Sequence, residues 1–350
     1  MPWMGIHLFL WEYAVDKFEV GKLPIRYLES LLSRIAIKDK RVVVGPGIGK
    51  DAAVIDFGDQ YLVAKTDPIT LTSSKVGWWS VHINANDVAC LGATPRWFLA
   101  TILLPEGKTS PPLVEEIFNE ILLACEELGV TLCGGHTEIT QKLEQPIVVG
   151  NMLGEVAKDR LVDGTKACAG DEVILVKGVA IEGTSIIARE KGEDLRGRFS
   201  EEFLNKCRQF IVKPGISVVK EALLANNLVR VKGMHDPTEG GLWTGLYELA
   251  VASGKGIYIE ADAIPVYSET ELLCQAFGLD PLGLIASGAL LIVVASKDTN
   301  RLIKGLEREG VKAVRIGRLT PEEEGARILR KGKLEEITPL SQDEIARILD

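Results

Sequence analysis

Five short segments of the chain carry oxygen-bearing side chains, three of them beside glycine, of the kind that phosphate and hard-metal chemistry needs. The first is Gly45-Pro46-Gly47-Ile48-Gly49-Lys50-Asp51, which runs into the apolar Ala52-Ala53-Val54. Gly47 and Gly49 let backbone amides close on a phosphate, Lys50 can touch it directly, and Asp51 can hold its metal. The spacing matches neither a Walker loop nor a dinucleotide-binding turn, and a tight turn without a ligand accounts for the same letters.

Lys65-Thr66-Asp67-Pro68 ends an apolar run with an acid where the chain leaves a sheet, either facing a ligand or capping a turn. In Asn84-Ala85-Asn86-Asp87, Asn84 and Asp87 share one helix face, which suits a hard cation such as Mg2+ or a buried hydrogen-bonded pair. Cys133-Gly134-Gly135-His136-Thr137-Glu138 follows a short apolar run and reads as a second phosphate loop, with His136 either on a phosphate or a satisfied loop histidine. Last comes His235-Asp236-Pro237-Thr238-Glu239-Gly240-Gly241-Leu242, where Asp236 and Thr238 precede a helix start that attracts anions. A plain Asp or Thr N-cap explains these letters almost as well.

The elements that must position these residues are mixed. Leu28, Leu31, Leu32 and Ile35 fall on one helical face after Pro24, and Val- and Ile-rich runs over 41–44, 52–56 and 61–65 read as strands. Helices over 76–91 and 112–128 alternate with strands over 97–104 and 147–156. The Gly-, Asp- and Lys-rich stretch 159–171 marks a boundary. Beyond it, helices are expected near 201–211, 216–225, 242–253 and 299–309, and strands near 228–231, 256–259, 289–295 and 313–319. The reading is α+β in two domains, 24–158 and 171–320, with an extension over 1–23 and a tail over 321–350 whose Ile345, Ile348 and Leu349 can pack on the second domain.

Length and composition agree with two ordinary cores: 350 residues, 46% hydrophobic and 25% charged. A net charge of −9 and the lack of a long basic run argue against nucleic acid or an anionic membrane as partner. A phosphate ligand must then be held by metal ions and backbone amides. The six cysteines form no Cys-x-x-Cys pair, so reduced thiols in a cytoplasmic protein are expected. The first twenty residues carry an apolar patch but no basic n-region or small-residue cleavage site, and no apolar run reaches spanning length.

In order and type, the five segments resemble the signature series of the aminoimidazole ribonucleotide (AIR) synthetase superfamily, PurM-like in fold. The Asp236-Pro237-Thr238-x-Gly240-Gly241-Leu242 version is most similar to the hydrogenase-maturation branch, HypE. The resemblance implies an N-terminal domain that dimerises through its sheet into a shared barrel, a C-terminal α+β domain, and Mg-ATP in the cleft between them. It implies Asp51, Asp67 and Asp87 as metal ligands with Glu138 standing in for a further acid. Asn84, Thr137, Thr238 and the glycines then lie on the nucleotide, with Asp236 and His136 at the chemistry.

Three departures stand out. Lys50 replaces the first of a paired acid, Gly-Gly-His-Thr-Glu replaces Gly-Asp-Thr, and the sequence ends Ala346-Arg347-Ile348-Leu349-Asp350 rather than in the Pro-Arg-Ile-Cys tail of the dehydratase. The function expected is ATP-dependent activation of an oxygen on a small-molecule or carrier-borne substrate, with a maturation-protein partner in view. The alternatives are carbamoyl dehydration in hydrogenase maturation with a divergent tail, or a nucleotide-binding scaffold without turnover.

Overall fold

The computed structural model describes residues 18, 21–70, 72 and 74–349, so most of the extension read over 1–23, with its apolar patch, lies outside the described residues. The first half holds helix α1 (Ile25–Leu32) and strands β1 (Val42–Val44), β2 (Ala53–Asp56) and β3 (Gln60–Ile69). Then come helix α2 (Val76–Cys90), strand β4 (Thr94–Pro105), helix α3 (Pro111–Leu128), and strands β5 (Thr131–Thr140) and β6 (Ile147–Ala157). The strands form one sheet in the order β1-β2-β3-β6-β4-β5.

Alternation fixes what each face of this sheet does. On β6, Val148, Gly150, Met152, Gly154 and Val156 are buried, while the residues between them are half-exposed. The buried set faces α2 and α3, and the other set makes an open, largely apolar face. Helix α2 has no polar face to give to water: every one of its residues is buried, because the second half of the chain covers its far side.

The second half contributes β7 (Glu172–Val176), α4 (Ile181–Glu190), α5 (Glu201–Arg208), α6 (Val219–Leu228), β8 (Val231–His235), α7 (Gly241–Ser253) and β9 (Gly256–Glu260). It continues with α8 (Ser268–Phe277), β10 (Leu290–Val294), α9 (Ser296–Arg308), β11 (Ala313–Thr320), β12 (Ala326–Arg330), β13 (Lys333–Glu336) and the short α10 (Ala346–Leu349). Its sheet runs β13-β12-β9-β11-β7-β10-β8, with β12 parallel to β9. The sheet therefore continues past the expected end at 320, since β12 and β13 complete one edge. Ile345 is buried in the core on one side of this sheet, so the last residues pack on the second domain as their spacing predicts.

The α+β class and the two-sheet architecture stand as expected. The cores divide less simply than two domains with one core each. Ile174, Val176, Leu290 and Ile292 of the second sheet share a cluster with α2 and the first sheet, while Val173, Leu175, Leu291 and Val293 face the other way, among residues of α4, α7 and α8. Helix α2 thus ends inside a core common to both halves. Asn86 ties them: its amide donates to Ile216 O (2.9 Å) and its carbonyl oxygen accepts from Val218 N (2.8 Å). Among the described residues, no helix is long and apolar enough to cross a membrane.

Candidate functional site

Lys65 and Asp67 are two apart on β3, so pleating turns both toward α2, where Asp87 lies one turn after Asn84. The Lys65 Nζ is 3.3 Å from Asp87 Oδ2 and 3.6 Å from Asp67 Oδ2. Burial works against the Lys65 charge, but Asp87, Asp67, Asp51 and Asp236 together outweigh it and hold its pKa above the usual value. Four carboxylates from four segments therefore converge on one ammonium.

Asp51 follows the first glycine loop and Asp236 follows β8, and these two with Cys90 place one ligand atom each within 4.8 Å of one another. Cys90 Sγ donates to Asp236 Oδ1 at 3.3 Å. Burial, with the nearby acids, raises the Cys90 pKa well above normal, so it stays a thiol. Asp236 is pushed up to about 7 by burial and by the Asp51 charge. Burial also drives Asp87 well above the carboxylate range, against the pull of Lys65. The ionised forms of these acids lack enough compensating charge.

His235 braces Asp51. Its Nδ1 lies 3.0 Å from Asp51 Oδ1 and its Nε2 2.9 Å from Glu248 Oε2 of α7. Burial opposes an imidazolium there, but the two carboxylates prevail and hold the His235 pKa well above its ordinary value. Glu248, despite its burial, is drawn down to about 2 by His235 and Lys22. Lys22 Nζ reaches Glu248 Oε1 (3.5 Å) and Thr238 Oγ1 (3.4 Å) at the mouth of the cleft.

The chemistry of the donors suits a hard divalent cation. Among the described residues Asp87 Oδ2, Asp236 Oδ2 and Asn84 Oδ1 are buried without a hydrogen-bond partner, and Asp51 and Asp236 bring carboxylate oxygens within 4.8 Å of each other. The protonated Cys90 is not one of these donors. Asn84 is itself fixed by donating to Ser80 O (2.8 Å) and Asp67 O (3.2 Å).

Other expected site residues are placed elsewhere. Lys50 donates to Asp163 O (2.9 Å) and Ala252 O (3.3 Å), so it straps the first loop to the second domain instead of waiting for a phosphate. Gly49 is pressed against α7, where an added Cβ would lie 2.5 Å from Glu248 O, so its close approach serves packing; Gly47 shares the same loop. The helix start at Gly240 already holds an anion: Asp343, from the C-terminal segment, accepts from Gly240 N at 2.7 Å.

The largest correction concerns residues 133–138, which form strand β5 and not a loop. In register, Asp67 pairs with Gly150, Gly150 with Ala100 and Ala100 with Gly135, so three strand spacings, about 14 Å, separate the two segments. His136 pairs with Thr101 and Glu138 with Leu103, on the open face, whereas Lys65 and Asp67 face α2. His136 and Glu138 are exposed and face each other at 3.2 Å. Within one protomer, Gly134, Gly135, His136, Thr137 and Glu138 therefore do not reach the acids. Gly135 has a structural reason of its own, since a Cβ there would sit 2.0 Å from Ala100 O at the β4–β5 bulge.

Sequence reasoning missed Lys65, His235, Glu248, Lys22 and Glu182. Lys65 was legible from its i, i+2 relation to Asp67. The rest depend on contacts between distant segments. Beside the acids a cavity of about 210 Å3 opens between the domains, with Asp67, Trp79 and Ile83 on one wall and Glu182, Glu239 and Ser287 on the other.

Comparison with known proteins agrees with this geometry. Residues 49–156 match the model of the AIR synthase related protein N-terminal domain, and residues 169–330 match that of the C-terminal domain. A carbamoyl dehydratase HypE of Cupriavidus necator is 31% identical over 257 residues, 71% of this chain and 69% of that protein. A crystal structure of a HypE–HypF complex superposes with a TM-score of 0.73 at 20% identity, covering 91% of this chain and 100% of that one. A hydrogenase maturation protein HypE in complex with ATP superposes with a TM-score of 0.69 at 23% identity, over 92% of each chain. With both domain models matched in order and the site acids held within them, this chain belongs to the AIR synthase related, PurM-like superfamily, on its HypE side.

Proposed function

We propose that the interdomain cleft binds Mg-ATP and that the chain transfers the γ-phosphoryl group to an oxygen of a small or carrier-borne acceptor. The observation that carries this reading is the convergence of Asp51, Asp67, Asp87 and Asp236 on Lys65. Four acids, Asp87 and Asp236 of them buried, crowd around Lys65 with only the His235 brace behind Asp51, a site short of positive charge, and a metal-bound triphosphate meets that need. The HypE relative named for carbamoyl dehydration and the HypE structure holding ATP support the nucleotide and the type of chemistry.

Asp51, Asp67, Asp87 and Asp236, with Asn84, would hold the Mg2+. When bound, that ion would neutralise charge on the transferring phosphoryl group. The chain's own part is positioning. The His235–Glu248 brace fixes the Asp51 carboxylate, Asn84 fixes the end of β3 against α2, and Trp79, Ile83 and Ile285 give the cavity its apolar lining. Lys22 offers a cation at the cleft mouth.

The reading includes a homodimer. The open face of the first sheet carries Trp97, Leu99, Leu103, Leu153 and Val149, and among the described residues β5 leaves an unpaired edge. A second copy would cover both and offer its own 133–138 strand to the neighbouring cleft. The HypE–HypF complex supports a maturation-protein partner as well. Isothermal titration with ATP, with Mg2+ and with chelator, tests the core of the reading. Binding that needs Mg2+, with ADP released on adding an acceptor, is expected, and no affinity with Mg2+ present would refute it.

A further inference from the structure

Helix α3 is apolar on two sides. Ile117, Ile121, Ala124 and Cys125 are buried and join the core formed with α2 and the first sheet. Phe118, Leu122 and Leu123 are left outside that core, 38%, 51% and 52% exposed. Beside them a shallow groove of about 450 Å3 is lined by Pro112, Glu115, Glu116, Asn119, Glu120 and Leu123. Single exposed apolar side chains are ordinary on a protein surface, but three on one helix next to a groove mark a contact surface.

The charge of this surface has one sign. Every charged residue of α3 is a glutamate, and Glu126 and Glu127 stand in its last turn, where the helix dipole disfavours them. Glu120 and Glu127 have partners inside the molecule, the Gly77 amide for the first and the Trp78 and His82 rings for the second. Among the described residues, Glu115, Glu116 and Glu126 are in no ion pair. An acidic and apolar groove fits a segment that is basic and apolar.

Such a segment stands on the same chain. Residues 33–41, between α1 and β1, set Arg34, Lys38, Lys40 and Arg41 around Ile35 and Ile37, and both isoleucines are about half exposed. Arg41 is held by Asp39, whereas among the described residues Arg34, Lys38 and Lys40 are in no ion pair. In a chain of net charge −9 this is a local excess of positive charge. The segment leads into β1 and α3 leads into β5, which are the two edges of the first sheet, five strand spacings or about 24 Å apart. Pairing of the two surfaces therefore needs two copies.

We propose that the acidic face of α3 docks segment 33–41 of a second copy of this chain in a head-to-tail contact. Unpaired lysines and arginine then meet unpaired glutamates, and the two isoleucines cover Phe118, Leu122 and Leu123. Helix α3 lies on the covered side of the first sheet, away from its open face, so this contact is separate from the dimer drawn over that face. A head-to-tail contact does not close on itself, and with the open-face dimer it builds assemblies larger than two. The inference is independent of the Mg-ATP reading.

Sedimentation velocity on the full chain tests it, in the wild type and in Leu99→Asp, whose open-face dimer is removed. The mass should rise with concentration in both, with a Kd on the order of 10–100 µM, as for a small charged interface. Leu122→Ser and Ile35→Ser should each weaken the contact about tenfold. The decisive pair is Glu115→Lys with Glu116→Lys in one variant and Lys38→Glu with Lys40→Glu in the other. Each alone sets like charges across the contact and should abolish the rise. Mixed in equal amounts, the two should associate to within about threefold of the wild type, because each altered surface then faces the opposite charge. Restoration on mixing also separates a lost contact from a lost fold.

A wild-type mass that stays constant up to about 300 µM would overturn the proposal. So would reversals that fail to restore each other. A wild type of constant mass that still binds a synthetic amphipathic Lys/Leu helix, with that binding lost in Leu122→Ser, would overturn the self-contact and assign the face to a foreign basic helix.

Discussion

Residues 45–51 and 133–138 carry nearly the same letters, glycines followed by a basic or imidazole side chain and an acid, yet the structure treats them in opposite ways. The acid of the first segment is enclosed by β3, α2, β8 and α7 and braced by His235. The acid of the second lies exposed on an edge strand, paired with His136. What separates them is the number of elements packed around each, because enclosure turns an ordinary carboxylate into one that demands a cation. Composition cannot report enclosure. Two glycine-and-acid segments are therefore equivalent in sequence and unequal in chemistry.

The sharpest way to break this comparison is at Asp87. Asp87→Asn should weaken Mg-ATP binding by about 4 kcal/mol, roughly 1000-fold, because a buried charge partner cannot be replaced by solvent. Circular dichroism and melting should stay close to wild type, since the amide relieves crowding among the acids. Calorimetry showing unchanged affinity would place Asp87 among purely structural helix residues.

The enclosed region should also make stability depend on pH. Glu182 has a folded pKa of about 7 against an ordinary 4.5, so its contribution to stability is whole below pH 4.5 and is lost as pH rises through 7. The loss is about 3 kcal/mol in the linkage relation. Urea melts between pH 4 and pH 8 should show this slope in the wild type and a flatter curve in Glu182→Gln. A parallel pair of curves would mean the carboxyl is solvated.

The two glycines of β5 sharpen the comparison from the other side. At Gly135 an added methyl would meet Ala100 O at 2.0 Å, whereas at Gly134 its nearest neighbour is Leu99 Cδ2 at 3.7 Å. Gly135→Ala should cost about 2 kcal/mol of stability and Gly134→Ala almost nothing. Equal melting shifts in the two variants would return this pair to a ligand-binding role.

These contrasts also show how far the sequence could be read. Helices α2, α3, α7 and α9 were legible because their apolar spacing spans several turns, and β3, β4, β6 and β10 because β-branched residues crowd together. Strand β5 was not, since two glycines and polar neighbours imitate a loop on an exposed edge. Helices α4 and α8 passed unmarked, and β12 and β13 fell in what looked like a tail. In the site, Asp51 was found as a letter in a glycine loop, Asp67 and Asp236 as letters before proline, and Asp87 by its helical spacing from Asn84. His235 and Glu248 act through a pairing thirteen residues apart that crosses from β8 into α7, and Glu182 through a cavity that exists only once two domains meet. No local pattern encodes such contacts.

The smallest expected effect tests whether the exposed strand joins the site at all. If a second copy covers the open sheet face, light scattering at micromolar concentration should show a homodimer, and Leu99→Asp should release monomers by placing charge in that apolar face. Glu138 would then act across the interface, and Glu138→Gln should weaken Mg-ATP binding by about 1 kcal/mol, near fivefold, in the dimer. The same substitution in the Leu99→Asp background should do nothing, because Glu138 is three strands from the acids of its own protomer. The double-mutant cycle reads this coupling directly, since two independent surface changes would simply add. Additive losses would show that Glu138 acts within its own chain or not at all, and the 133–138 segment would then be an edge strand whose glycines serve only the bulge beside Ala100.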